Sequence, residues 1–132
     1  MQAFSLFLKL LAPIPIMVGL LHVTMGVNTE VLLGANVPPD ALKDPVLDSQ
    51  NRFYGAIFMA YGPLLFLCAR DIRKHALLLR IVGGFVFLGG VARLVSVALY
   101  GLPSAPVVGL IAIELIGIPL LLIWHAHLLK RS

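Results

Sequence analysis

Long apolar segments without charged residues constrain this chain more than any other feature of its sequence. No Asp, Glu, Lys or Arg occurs in residues 10–29 or 53–69, and only Arg93 and Glu114 carry charge in residues 81–129. A helix needs about 20 mostly apolar residues to cross the hydrocarbon core of a bilayer. The 132 residues therefore provide room for at most four or five membrane-spanning helices, all in one domain.

Composition excludes several other classes of protein. Hydrophobic residues make up 60% of the chain and charged residues 12%, with a mean hydropathy of +1.00, whereas a soluble domain is about half apolar and a quarter charged. The single Cys68 excludes an intramolecular disulfide and dithiol chemistry. The net charge of +4 would suggest nucleic acid in a soluble protein. Here the charges lie mainly between the apolar segments, so we expect no nucleic-acid partner.

The apolar segments predict an all-α bundle of four transmembrane helices in a single domain, residues 1–132. We place the spans at about residues 4–27, 51–69, 75–99 and 106–127. Pro13 and Pro15 should kink or loosen the first span, because proline removes a helical hydrogen bond.

The charges between the spans predict an orientation. Seven basic residues flank the termini and the second loop, against one acid, Asp71: Lys9, Arg70, Arg73, Lys74, Arg80, Lys130 and Arg131. Short loops rich in Lys and Arg stay on the cytoplasmic side. Both termini should therefore face the cytoplasm. The same residues can contact anionic lipid headgroups, although the orientation rule accounts for them without any such role.

The first loop on the opposite side, residues 28–50, is the one long polar stretch. We expect Thr29 to Gly34 to form a short turn at the membrane interface. Asp48 should cap the N-terminus of the second helix, where the helix dipole favours a carboxylate.

Arg93 and Glu114 are predicted to form an ion pair within the membrane. A charged residue at the centre of a span costs about 2.5 to 3.5 kcal/mol on insertion scales. At 1.5 Å per residue, Arg93 lies about 9 Å and Glu114 about 12 Å below the outer ends of adjacent antiparallel helices. We give a structural role and a functional role of this pair equal weight.

Further polar residues are predicted to lie at similar depth. Gly89, Arg93, Ser96 and Tyr100 share one face of the third helix, which should allow close helix contact around the guanidinium. His125 and His127 are two residues apart and face different sides of a helix, so no metal site is expected. The candidate polar cluster in the outer half consists of His22, Glu30, Asp48, Asn51, Arg52, Arg93, Ser96 and Glu114.

Several segments resemble one known family. They are residues 48–62 (DSQNRFYGAIFMAYG), 80–83 (RIVG), 87–96 (FLGGVARLVS) and 101–103 (GLP), together with Glu114. They resemble the bacterial DUF4345 family of small four-helix membrane proteins, which are similar in layout to the DoxX-like group. The resemblance covers most of the chain from Asp48 to Trp124. It implies a bacterial inner-membrane protein and singles out Asn51, Arg52, Gly55, Gly62, Arg93, Ser96 and Glu114, but it supplies no reaction.

Three functional classes follow from these features. We favour a binding or accessory protein that docks on a membrane complex or holds a lipid-like ligand at the candidate polar cluster. Its partners would be membrane lipid, a larger complex or further copies of the chain, with no cofactor. The first alternative is a membrane enzyme in which Glu114, or Glu30 with His22, exchanges protons with a lipid-soluble substrate. The second is a small transporter, which Arg93 disfavours by stabilising the charged form of Glu114.

Overall fold

The computed structural model describes residues 1–130. Within that range it contains helices joined by turns and loops, and no strand. The elements are α1 (Gln2–Leu11), α2 (Pro13–Met25), α3 (Asn28–Leu32), a 3-10 turn (Ala41–Lys43), α4 (Pro45–Arg70), α5 (Ala76–Tyr100), α6 (Ala105–Ala112), a π-helical segment (Ile113–Gly117) and α7 (Ile118–Lys130). Four helical stretches are long and apolar enough to cross a membrane: Gln2–Met25, Pro45–Arg70, Ala76–Tyr100 and Ala105–Lys130. We call these the first to fourth spans. They confirm the predicted all-α fold with four spans.

Proline interrupts the first span as expected. The helix breaks at Ala12, and Pro13 occupies the first position of α2, where its missing N–H costs no hydrogen bond. The Ala12 amide still donates to the carbonyl of Leu8 at 3.0 Å, so the chain continues in the same general path.

The second span begins earlier than the sequence suggested, and the predicted cap was wrong. The helix starts at Pro45, and Asp44 is its cap: Asp44 Oδ1 accepts hydrogen bonds from the amides of Val46 at 2.8 Å and Leu47 at 2.9 Å. Asp48 lies one turn inside the helix. Pro45 explains the difference, because its fixed φ favours the first helical position. The cap is therefore the residue immediately before Pro45, which is Asp44.

Lys9, the basic residues of 70–80 and Lys130 lie together at one end of the bundle, which we call the basic end; Arg131 lies outside the described residues. Ser5 Oγ donates a hydrogen bond to the carbonyl of Ala69, and the Phe4 ring contacts Trp124 with ring centroids 4.8 Å apart. His125, which is fully buried, donates from Nε2 to the carbonyl of Ile72 at 2.8 Å. The main apolar core lies here and comprises Phe4, Leu8, Cys68, Ala69, Ile72, Leu79 and Leu121. The direction in which this end faces across a membrane stays a prediction.

The opposite end, which we call the acidic end, holds the Asn28–Asp44 loop and the 101–104 loop. A contact joins these two loops, because Ser104 Oγ donates a hydrogen bond to the carbonyl of Leu33. The first and second spans pack closely, since a Cβ added at Gly55 would lie 2.3 Å from the Cβ of His22. In contrast, every residue of the third span from Val91 to Ser96 is exposed. This half of the third span is therefore open to the surrounding membrane.

Candidate functional site

The predicted ion pair between the third and fourth spans is present. Arg93 Nε lies 3.0 Å from Glu114 Oε2 and 3.3 Å from Oε1. The two partners differ in burial, because the side chain of Glu114 is 11% exposed and that of Arg93 is 43% exposed. The carboxylate is thus enclosed by protein, while the guanidinium reaches outward from the pair.

Two local features bring the carboxylate to the third span. Glu114 lies in the π-helical segment, where the wider turn alters the direction of its side chain. On the facing helix, Gly90 provides the space, since a Cβ added there would lie 2.8 Å from the Cβ of Glu114. The prediction that Gly89 lines the close contact was wrong: an added Cβ at Gly89 would meet nothing within 4 Å. The close contact between the third and fourth spans lies at Gly90, on a neighbouring face of the third span, and the long side chain of Arg93 reaches Glu114 there.

The outer part of the Arg93 guanidinium has no partner in the described chain. Its Nε is the atom that contacts Glu114, and neither terminal nitrogen donates a hydrogen bond to any residue from 1 to 130. Ser96 lies three residues further along the same face and is exposed. Its hydroxyl likewise makes no hydrogen bond within that range. The two terminal nitrogens and the Ser96 hydroxyl are therefore three groups, on exposed residues, that have no hydrogen-bond partner within residues 1–130.

A second group of polar residues joins the first span, α3 and the second span. Asn51 Nδ2 donates to Glu30 Oε1 at 2.7 Å, and His22 Nε2 lies 3.6 Å from the same oxygen. The other ring nitrogen of His22 is 2.8 Å from the carbonyl of Val18, to which it donates. With Nδ1 committed as a donor, Nε2 is the ring nitrogen that faces the Glu30 carboxyl group, at a separation slightly longer than a hydrogen bond. Such an arrangement can perform acid-base chemistry.

A third group holds the end of the first span against the second. Arg52 donates from Nε to Asp48 Oδ2 at 2.7 Å and from Nη1 to the Val23 carbonyl at 2.6 Å. Asp48 Oδ1 in turn accepts from the amide of Val27 at 3.3 Å. Gly26 makes this possible, because its φ of 57° turns the chain and an added Cβ would lie 1.8 Å from Asp48 Oδ1. Asp48 and Arg52 thus bind backbone groups at and just after the C-terminus of α2 and hold it against the second span, which is a structural role.

The candidate polar cluster is thus divided in the structure. Its eight residues form the Arg93–Glu114 pair with Ser96 nearby, the His22–Glu30–Asn51 group, and the Asp48–Arg52 pair. Across residues 1–130, no hydrogen bond or ion pair connects the first of these groups with the other two. Within the same range, no three His, Cys, Asp or Glu side chains lie close enough together to hold a metal ion.

Two residues that shape the site, Asp44 and Gly26, were missed by the sequence interpretation, and a third, Gly90, was not distinguished from Gly89. The Asp44–Pro45 dipeptide was a readable signal for the cap. Gly26 ends an apolar segment, the usual place of a glycine that stops a helix. No signal in the sequence distinguishes Gly90 from Gly89, since the choice depends on the rotation of the fourth span.

The fold and its site define a class: small multi-pass membrane proteins with four spans and an intramembrane Arg–Glu pair. The chain matches the family model described as a domain of unknown function (DUF4345) over residues 3–125, and it belongs to that family. No curated protein and no solved structure shows significant similarity to the chain.

Proposed function

We propose that this protein is a binding protein that holds the carbonyl-bearing head of a lipid-soluble molecule against Arg93. One observation carries the proposal: Glu114 fixes the guanidinium through Nε, and the two terminal nitrogens face outward without a partner in the described chain. In hydrocarbon no water is available to accept hydrogen bonds from such donors, so a partner is needed. A bound ligand or an acceptor on another protein would meet this need.

The charge of the pair narrows the chemistry of the ligand. Glu114 already balances the positive charge of Arg93, so a second anion would leave the site with a net negative charge, which is costly to bury in a low-dielectric setting. A neutral acceptor such as an ester or quinone carbonyl satisfies the two donors without adding charge. The guanidinium fork can direct two parallel hydrogen bonds at such a group, and Ser96 adds a further hydroxyl on the same face.

The access route supports the same proposal. Residues 91–96 of the third span are all exposed, so a molecule dissolved in the membrane can approach Arg93 from the side.

We place the site in the outer leaflet of a bacterial cytoplasmic membrane, with both termini inside. The support for this orientation is the concentration of Lys and Arg at the basic end. Reporter fusions in the Asp71 turn and in the Asp40 loop test it, and an external Asp71 turn would refute it.

The experiment that tests the function is native mass spectrometry of protein extracted gently from its own membranes. We compare the unaltered chain with Arg93→Gln and with a matched control, Arg80→Gln, which removes the same charge from an exposed position on the same helix. We expect a co-purified small molecule that Arg93→Gln loses and Arg80→Gln keeps. Arg93→Lys should also weaken its retention, because lysine keeps the charge but lacks the fork.

Two other outcomes have defined meanings. A stoichiometric protein lost in Arg93→Gln would show that the donors meet an acceptor on a partner, which is the accessory role. Retention of every bound species in Arg93→Gln would overturn the proposal.

The His22–Glu30 pair supports a second candidate, a membrane enzyme acting by acid-base chemistry. Its observation is the 3.6 Å approach of His22 Nε2 to Glu30 Oε1, with Asn51 holding the same oxygen. The test is conversion of the co-purified molecule over time. Conversion by the unaltered chain and by Asp40→Asn, but not by Glu30→Gln, would favour the enzyme over simple binding.

A further inference from the structure

A cavity of about 390 Å³ opens at the basic end, between α1 and the turn that follows α4. Three basic side chains line it: Lys9 from the first span, and Arg70 and Arg73 from the end of the second span and the turn. Leu6 and Ile72 provide apolar surface beside them. This volume lies toward the lower end of the range for small-molecule sites.

The cavity carries a net positive charge, because its three basic side chains outnumber its one acidic side chain. Its one acid, Asp71, is directed at the backbone, because Oδ1 accepts from the amides of Lys74 at 2.9 Å and Arg73 at 3.0 Å. These two hydrogen bonds hold the pKa of the Asp71 carboxyl below its usual range. The side chains of Lys9, Arg70 and Arg73 form no hydrogen bond or ion pair with any residue in 1–130.

We propose that this cavity binds the phosphate group of an anionic lipid headgroup. Arginine matches phosphate oxygens with paired hydrogen bonds, and Lys9 adds a third charge from a separate helix. Leu6, which is 58% exposed, continues the apolar surface of α1 away from the cavity and offers a place for an acyl chain. A free phosphate ion would share the headgroup chemistry but would not use Leu6. This site is independent of Arg93, which lies in the opposite half of the third span.

A charge-matched comparison separates a defined site from general attraction to a negative membrane surface. The test variant is Arg70→Gln with Arg73→Gln. The control is Lys74→Gln with Arg80→Gln, which removes the same charge from exposed residues that do not line the cavity. A hydrogen bond to a charged group contributes at least about tenfold to binding. We expect the test variant to bind phosphatidylglycerol about 100-fold more weakly than the unaltered chain, and the control, whose side chains do not line the cavity, to change by no more than about threefold.

The measurement is a native mass spectrometry titration of the purified full chain with short-chain phosphatidylglycerol, with phosphatidylcholine as the neutral lipid. All four positions are exposed, and equal melting temperatures would show that the variants are folded. Competition by millimolar inorganic phosphate would identify free phosphate as a ligand of the same site, whereas binding that resists phosphate identifies the lipid. Equal losses in the two double variants, or equal binding of both lipids, would overturn the proposal.

Discussion

Removing either member of the Arg93–Glu114 pair should destabilise the fold, but by unequal amounts. In Arg93→Met, the Glu114 side chain, which is only 11% exposed in the unaltered protein, loses the cation that faces its carboxylate at 3.0 Å. Breaking a buried pair in this way costs about 3 to 5 kcal/mol of stability. Because Arg93 is partly exposed, we expect a loss at the lower end, about 3 kcal/mol. In Glu114→Gln, the half-exposed guanidinium can turn toward the interface, so the expected loss is about 1.5 kcal/mol.

The double variant should be less destabilised than the sum of the two single variants. With both charges removed, no unpaired ion remains, and we expect a loss of about 2.5 kcal/mol, which leaves a coupling of about 2 kcal/mol. The assay is reversible unfolding in mixed micelles on addition of SDS, followed by helical circular dichroism at pH 7. The control cycle, Asp48→Asn with Arg52→Gln, should show smaller coupling because both of its side chains are at least 30% exposed.

Two results would refute this account of the pair. The first is additivity of the two single changes to within about 0.4 kcal/mol, which would mean that the two side chains do not interact in the folded protein. The second is a larger loss in Glu114→Gln than in Arg93→Met, which would mean that the guanidinium and not the carboxylate depends on its partner.

Three further predictions use the same unfolding assay. Gly90→Ala should lower the free energy of unfolding by about 1 to 3 kcal/mol, because the new Cβ would lie 2.8 Å from the Cβ of Glu114. Gly89→Ala, whose new Cβ would meet nothing within 4 Å, should leave that free energy unchanged or raise it by up to about 1 kcal/mol. Equal effects of the two changes would place the helix contact elsewhere. His125→Phe should cost about 1 to 3 kcal/mol by leaving a buried carbonyl without its donor, and an unchanged midpoint would contradict that hydrogen bond. The lowered pKa of Asp71 in the folded state contributes stability that is complete above the ordinary value of 3.8 and is lost as the pH falls through the lowered value. Asp71→Asn should therefore flatten the acid limb of the stability curve between about pH 5 and pH 2, and an unchanged acid limb would contradict the assignment.

The sequence was sufficient for the features that depend on hydrophobic length and on depth. Four apolar stretches predicted four spans, because each must match the thickness of a bilayer. The ion pair followed from depth alone, since Arg93 and Glu114 lie at similar distances from the short loop that joins their helices. Neither inference required knowledge of how any helix is rotated.

The remaining features depend on rotation and on competition between neighbouring residues. Gly89 and Gly90 are equally plausible neighbours of an intramembrane pair until the π-helical segment sets the direction of Glu114. Asp44 and Asp48 are both able to cap a helix, and Pro45 decided between them. His22 and Arg93 lie at comparable depth in the sequence interpretation, yet they belong to separate groups because their helices pack against different partners.

The two proposed sites differ in chemistry, because the charge around each one differs. At Arg93 the pair with Glu114 is neutral, so the free donors favour a neutral acceptor. At the basic end, Arg70 and Arg73 face a cavity whose one carboxylate is occupied by backbone amides, so the balance favours an anion. A single amphipathic molecule cannot satisfy both positions, since they lie at opposite ends of the bundle. We therefore expect Arg93→Gln to lose one bound molecule, and the double variant Arg70→Gln with Arg73→Gln to lose a different one.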